Sequence, residues 1–155
     1  MVQKLSLVTT LVVVGYLYAP TTFAQLEIIA PSNMLFRSVR VIDGDTVEVT
    51  TAGKRLGIGL IGVRAPRGNS ECGRLATGAL WGLSAAGLVF EEDAEGIPHE
   101  KYRRLYYARA ADGRSVAEHL VLAGLARADG RGRERAALAA AENEARSLRR
   151  GCLWQ

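Results

Sequence analysis

Between residues 36 and 63 apolar and polar side chains alternate with a period of two, broken by short turn signals. "FRSVRVI" (36–42) alternates, Asp43-Gly44-Asp45 turns the chain, and "TVEVTT" (46–51) alternates again. "AGK" makes a second turn and "RLGIGLIGV" (55–63) reads as a third strand, softened by Gly57, Gly59 and Gly62. Alternation of this kind gives each strand one buried and one solvated face. Glycine inside a strand marks a bulge or the bend of a barrel wall. Pro66 has no amide hydrogen for a ladder, so the third strand is expected to stop near Val63, with Arg64 and Arg67 just beyond its end. The period then changes to helical: Leu75, Ala79, Leu83 and Ala86 recur between Arg74 and Leu88. "LVFEE" and "RLYYARA" read as a fourth and a fifth strand. Ser115 caps a short helix, "VAEHLVLA", which Gly124 ends, and a last helix runs from about Arg133 to Arg149 and stops at Gly151. Three strands, a helix, two strands and two helices is the order of an OB-type barrel, five strands with three helices, mainly β with α. There is no internal repeat and no low-complexity segment.

Residues 1–24 follow a different pattern and change the picture of where the chain works. One basic residue, Lys4, precedes an apolar run from Leu5 to Ala19, and Thr22-Phe23-Ala24 supplies small residues for cleavage. This is the layout of a secretory signal, and the run is short for a spanning helix. The expected organisation is a signal peptide over 1–24 and one domain over 25–155, placed in the periplasm or secreted; a retained N-terminal anchor is the alternative. No later segment is long and apolar enough to span a membrane. Losing Lys4 lowers the formal charge from +4 to +3. Arginine supplies 17 of the 20 basic residues, which suits forked contacts to phosphate or carboxylate, and equally a genome rich in arginine codons. The two cysteines, Cys72 and Cys152, are too few for a structural zinc site.

The candidate chemistry begins at Ile42-Asp43-Gly44-Asp45-Thr46. "VRVIDGDTVEV" resembles the first hairpin of the staphylococcal nuclease (thermonuclease) family. The resemblance continues through "LIGVRAP", through "EKYRRLYYARAADGRSVAEHLVLAGLARA", and through the last helix ending in Gly-x-Leu-Trp. It implies the same barrel with three helices, and calcium-dependent hydrolysis of DNA and RNA phosphodiesters. In that family two aspartates and a backbone carbonyl hold one calcium ion, a glutamate positions water, and two arginines bind the phosphate. The reaction needs such a set: a hard cation takes oxygen ligands, and a charged transition state needs fixed cations.

Carried over residue by residue, the set is broken. Asp45 stands at the first metal position, with Asp43 beside it. The arginine late in the third strand falls on Gly59. The family's Asp-x-Pro-Glu falls on Arg64-Ala65-Pro66-Arg67, so Arg64 replaces the second metal aspartate and Arg67 the water-positioning glutamate. Lys-Tyr-Gly-Arg falls on Lys101-Tyr102-Arg103-Arg104, which keeps the phosphate contacts Lys101 and Tyr102 and the second arginine, Arg104, at a catalytic position. The aromatic residues that flank the nucleotide have no counterpart in "RADGRGRE". Exchanging two negative for two positive charges should collapse calcium affinity, so no cofactor is expected.

Asp43 and Asp45 then serve as turn formers or as a vestigial metal site. Arg64 and Arg67 are plain surface charges, partners of Asp45 in an ion cluster, or an anion site. The sharpest expectation is an Arg64–Asp45 ion pair in place of calcium, leaving Arg67 and Arg104, with Lys101 and Tyr102, to bind phosphate. Trp154 is read as a core anchor. In an oxidising compartment Cys72 and Cys152 are expected to pair, because the resembling fold returns its end to the first helix. Three function classes follow: an inactive nuclease, monomeric, that grips nucleic acid or another polyanion weakly; an active nuclease with a rearranged site; and a protein-interaction module.

Overall fold

Alternation and turn chemistry place the first meander where the pattern expects it. The computed structural model describes residues 33–96, 99–100 and 103–155, with His99 described by its backbone alone. The stretch read as a signal peptide lies outside the described residues, as do Lys101 and Tyr102. In chain order the elements are β1 (Leu35–Phe36), β2 (Val39–Asp43), β3 (Thr46–Thr51), β4 (Lys54–Leu60), β5 (Val63–Arg64), α1 (Glu71–Ser84), β6 (Leu88–Glu91), β7 (His99–Glu100), β8 (Arg103–Ala110), α2 (Val116–Leu122), β9 (Arg127–Ala128) and α3 (Arg135–Ser147).

Strands β2, β3 and β4 form the antiparallel meander, β4 continues in parallel to β8, and β8 pairs antiparallel with β6. β6 then pairs with β1. Because β1 and β2 are two halves of one run interrupted at Arg37-Ser38, the sheet curls back on its own first strand. The result is an OB-like barrel carrying three helices. Its interior is filled by the inward half of each alternation: Val47 and Val49, Ile58 and Leu60, Leu88 and Phe90, and Tyr106, with Leu80, Leu120 and Leu138 arriving from the helices. The Ser70 hydroxyl accepts the Gly73 amide at 2.9 Å and caps α1, and the Ser115 hydroxyl does the same for α2.

The third strand departs from the sequence reading in a way that sets the site. It does not run unbroken to Val63. Gly62 adopts φ +83°, a left-handed conformation that side-chain-bearing residues avoid, and the chain turns there. Val63 and Arg64 leave the barrel sheet and pair with Ala128 and Arg127 as a separate two-stranded ribbon.

Cys72, in the first turn of α1, is bonded to Cys152, with Cα atoms 5.5 Å apart across a separation of 80 residues. Trp154 is partly buried; the guanidinium carbons of Arg127 and Arg146 lie 4.7 and 4.4 Å from the centroid of its ring. Among the described residues no helix is long and apolar enough to cross a membrane.

Candidate functional site

Three loops at one end of the barrel converge on a cavity of about 650 Å³. The β2–β3 turn delivers Asp43 and Asp45, the ribbon strand β5 and the loop after it deliver Arg64, Pro66 and Arg67, and the β7–β8 hairpin delivers Glu100 and Arg103. Among the described residues, three carboxylates thus face three guanidinium groups.

The turn chemistry explains the aspartates. Asp43 accepts the Asp45 amide at 3.1 Å, the local bond that makes Asp-Gly-Asp a turn. Asp45 is 6% exposed. A buried carboxylate must be hydrogen-bonded and neutralised, or it is very costly. One oxygen accepts the Ala65 amide at 3.0 Å, and the other accepts the Thr46 hydroxyl at 2.9 Å and an Arg103 nitrogen at 2.6 Å.

Arg103, then, is the internal cation, and Arg64 is not. The expected Arg64–Asp45 pair does not form, because pairing with β9 carries Arg64 outward, where it meets Glu100 at 3.1 Å. Arg103 reaches Asp45 because of the glycine at 59. A Cβ atom on Gly59 would lie 2.8 Å from both Cδ and Nε of Arg103. The Arg103 side chain therefore occupies the face of β4 that Gly59 leaves open. The two positions at which the resemblance implies an arginine and a glycine, 59 and 103, thus carry the reverse pair and lie against each other on neighbouring strands. Burial works against the Arg103 charge, and the bonds from Glu100 and Asp45 outweigh it, so its pKa is raised.

Glu100 is held between two cations. Arg103 donates to it at 2.8 Å and Arg64 at 3.1 Å, and these bonds, Arg103's first, lower its carboxyl from an ordinary 4.5 to about 2. A depressed carboxylate stabilises the fold above its ordinary pKa, and that contribution is lost as pH falls towards the depressed value. The stability gap between the native protein and Glu100→Gln should therefore be full above pH 5 and close between about pH 4.5 and pH 2. Urea midpoints measured across that range test it; a gap that stays constant rules it out.

Two further expected site residues fall in different surroundings. Arg67 lines the cavity, is exposed, and has no carboxylate partner among the described residues. Arg104 follows Arg103 on β8 and so points to the other side of the strand. It donates to Glu92 at 3.1 Å and is not among the residues lining the cavity. The residues that sequence reasoning passed over are Arg103 and Glu100.

This donor set does not fit the calcium that the resemblance implies. Calcium takes six to eight oxygen ligands, most of them carboxylate or carbonyl. Here both oxygens of Asp45 are engaged by donors, Asp43 is engaged by backbone, and Arg64, Arg67 and Arg103 place three positive charges in the same cavity. Among the described residues no three His, Cys, Asp or Glu side chains are grouped as metal ligands.

No family model matches the chain. Two proteins, each named "Uncharacterized endonuclease", one from Escherichia coli O157:H7 and one from Escherichia coli, are each 35% identical to it over 122 residues, covering 76% of this chain and 75% of the relative. An identity of that size over three quarters of both chains is enough to establish common ancestry, and the chain belongs to the nuclease-like family of these two proteins.

Proposed function

We propose that this protein is an exported, thermonuclease-related domain that binds nucleic-acid phosphates and does not cleave them through calcium. The observation that carries the reading is the Asp45 carboxylate engaged by Arg103 at 2.6 Å, in a cavity that also presents Arg64 and Arg67, the latter without a carboxylate partner among the described residues. A guanidinium there does for the fold what a bound cation would do, and the Asp45 oxygens are both engaged by donors of the protein itself. The charge of +3 over residues 25–155, carried almost wholly by arginine, gives weak, salt-sensitive attraction to phosphates. A disulfide is compatible with an oxidising compartment.

The second reading, an active nuclease with a rearranged site, is favoured by the name its relatives carry. Digestion of single-stranded DNA with and without calcium, beside a gel shift on the same DNA, separates the two. Retardation without cutting is expected. Cutting overturns the proposal, and retardation by heparin alone moves the ligand to another polyanion.

A reversion experiment asks the same question in the opposite direction. Gly59→Arg with Arg64→Asp and Arg67→Glu should stay inactive, because Arg103 still fills the space beside residue 59 and still holds Asp45. Adding Arg103→Gly should be what restores calcium-dependent cutting. Activity in the triple variant alone contradicts the assignment of Arg103.

A further inference from the structure

The β5–β9 ribbon sets Arg64 directly opposite Arg127. Opposed residues in an antiparallel pair share one face with Cβ atoms about 5 Å apart, and like charges there repel. A second cavity, of about 470 Å³, is lined by both. That volume is within the range of small-ligand sites, roughly 300–1,000 Å³. Ala65, Pro66 and Leu153 give it an apolar wall. Its one acid, Asp129, is committed elsewhere: the carboxylate accepts Arg131 nitrogens at 2.6 and 2.8 Å and the Arg131 amide at 3.0 Å.

Arg127 is fixed without being neutralised. Its guanidinium stacks over Trp154, and it has no carboxylate partner among the described residues. Arg64 spends one nitrogen on Glu100. Two arginines lining one cavity beside an apolar wall are complementary to an anion attached to an apolar body. Arg64, Ala65 and Pro66 line both this cavity and the first, so a chain-like ligand lying in one continues into the other.

We propose that this second cavity is a subsite for single-stranded nucleic acid. One phosphodiester sits between Arg64 and Arg127, its nucleoside lies on Ala65, Pro66 and Leu153, and the strand passes over Pro66 towards Arg67. The guanidinium fork matches the phosphate oxygens, and an apolar seat requires a base that is not already stacked in a duplex. The assignment rests on the phosphate-binding reading above, which leaves the ligand's path unspecified.

The test is titration of the purified protein with fluorescein-labelled oligodeoxythymidine at several salt concentrations, beside Arg127→Gln and Arg67→Gln. Arg127→Gln should bind about tenfold more weakly, the equivalent of one lost charge-assisted bond. Its logarithmic salt slope should be shallower by about 0.7, one phosphate contact on a single strand. The melting temperatures of the two variants should lie within a few degrees of each other. The oligonucleotide should bind several-fold more tightly than inorganic polyphosphate with the same number of phosphates. Native-like binding by Arg127→Gln with weakened binding by Arg67→Gln overturns the second subsite and leaves the phosphate reading standing. Equal affinity for polyphosphate overturns the nucleoside seat. Absence of any salt-dependent binding by the native protein overturns both.

Discussion

Arg103→Ala should lower the stability of this protein by about 3 kcal/mol, whereas Arg64→Ala should cost less than about 1 kcal/mol. Both arginines meet an acid in the same cavity, so proximity alone does not distinguish them. Solvent does. The Arg103 side chain is 20% exposed and that of Asp45 9%, and the pair is closed further by Thr46 and the Ala65 amide. Removing one partner of a buried pair leaves the other charge without compensation, which costs several kcal/mol. Arg64 is 55% exposed, and water replaces most of what it gives Glu100. Urea denaturation of both variants measures the contrast. A double-mutant cycle with Asp45→Asn isolates the pair: in the Arg103→Ala background that change should recover part of the loss, because it removes the stranded charge. An Arg103→Ala variant within 0.5 kcal/mol of the native protein would show that Asp45 finds its compensation elsewhere.

The legible part of the fold was the part with periodicity. Six or seven residues of alternation suffice to identify β2, β3 and the body of β4, and the spacing of Leu75, Ala79 and Leu83 suffices for α1. β5 and β9 have two residues each and no period to read. They exist because Gly62 turns the chain at a point that gave the sequence reading only a softened strand. The resemblance places Arg64 at a strand end beside Asp45, whereas pairing with β9 directs its side chain to Glu100 at the wall of the same cavity.

The site was legible in its losses but not in its compensation. Each departure from the pattern that the resemblance implies, at Gly59, Arg64 and Arg67, can be seen one position at a time. That Gly59 makes room for Arg103 cannot, since it depends on β4 and β8 lying side by side in parallel, a pairing between strands far apart in the chain. Arg104 failed to reach the cavity for a related reason. Adjacent strand residues face opposite ways, so once Arg103 points to Asp45, Arg104 must point to the side where Glu92 lies.

Replacing both Cys72 and Cys152 by serine should cost about 4 kcal/mol, since the bridge closes a loop of 80 residues and the entropy it removes from the unfolded chain grows with loop length. For a domain of this size that loss corresponds to a fall in melting temperature of roughly 15 °C. The bridge ties the first turn of α1 to the segment that follows α3, and that segment carries Leu153 in the wall of the second cavity and Trp154 under Arg127. Loosening it should therefore weaken oligonucleotide binding as well as stability, and the gap to the native protein should close neither on adding calcium nor on lowering salt. Thermal melts with and without reductant provide the internal control. Reductant should lower the melting temperature of the native protein to that of the double-serine variant and leave the variant unchanged. If mass spectrometry confirms two free thiols and the native protein still melts where it did when oxidised, the bridge contributes nothing to stability and the assignment of its role is wrong.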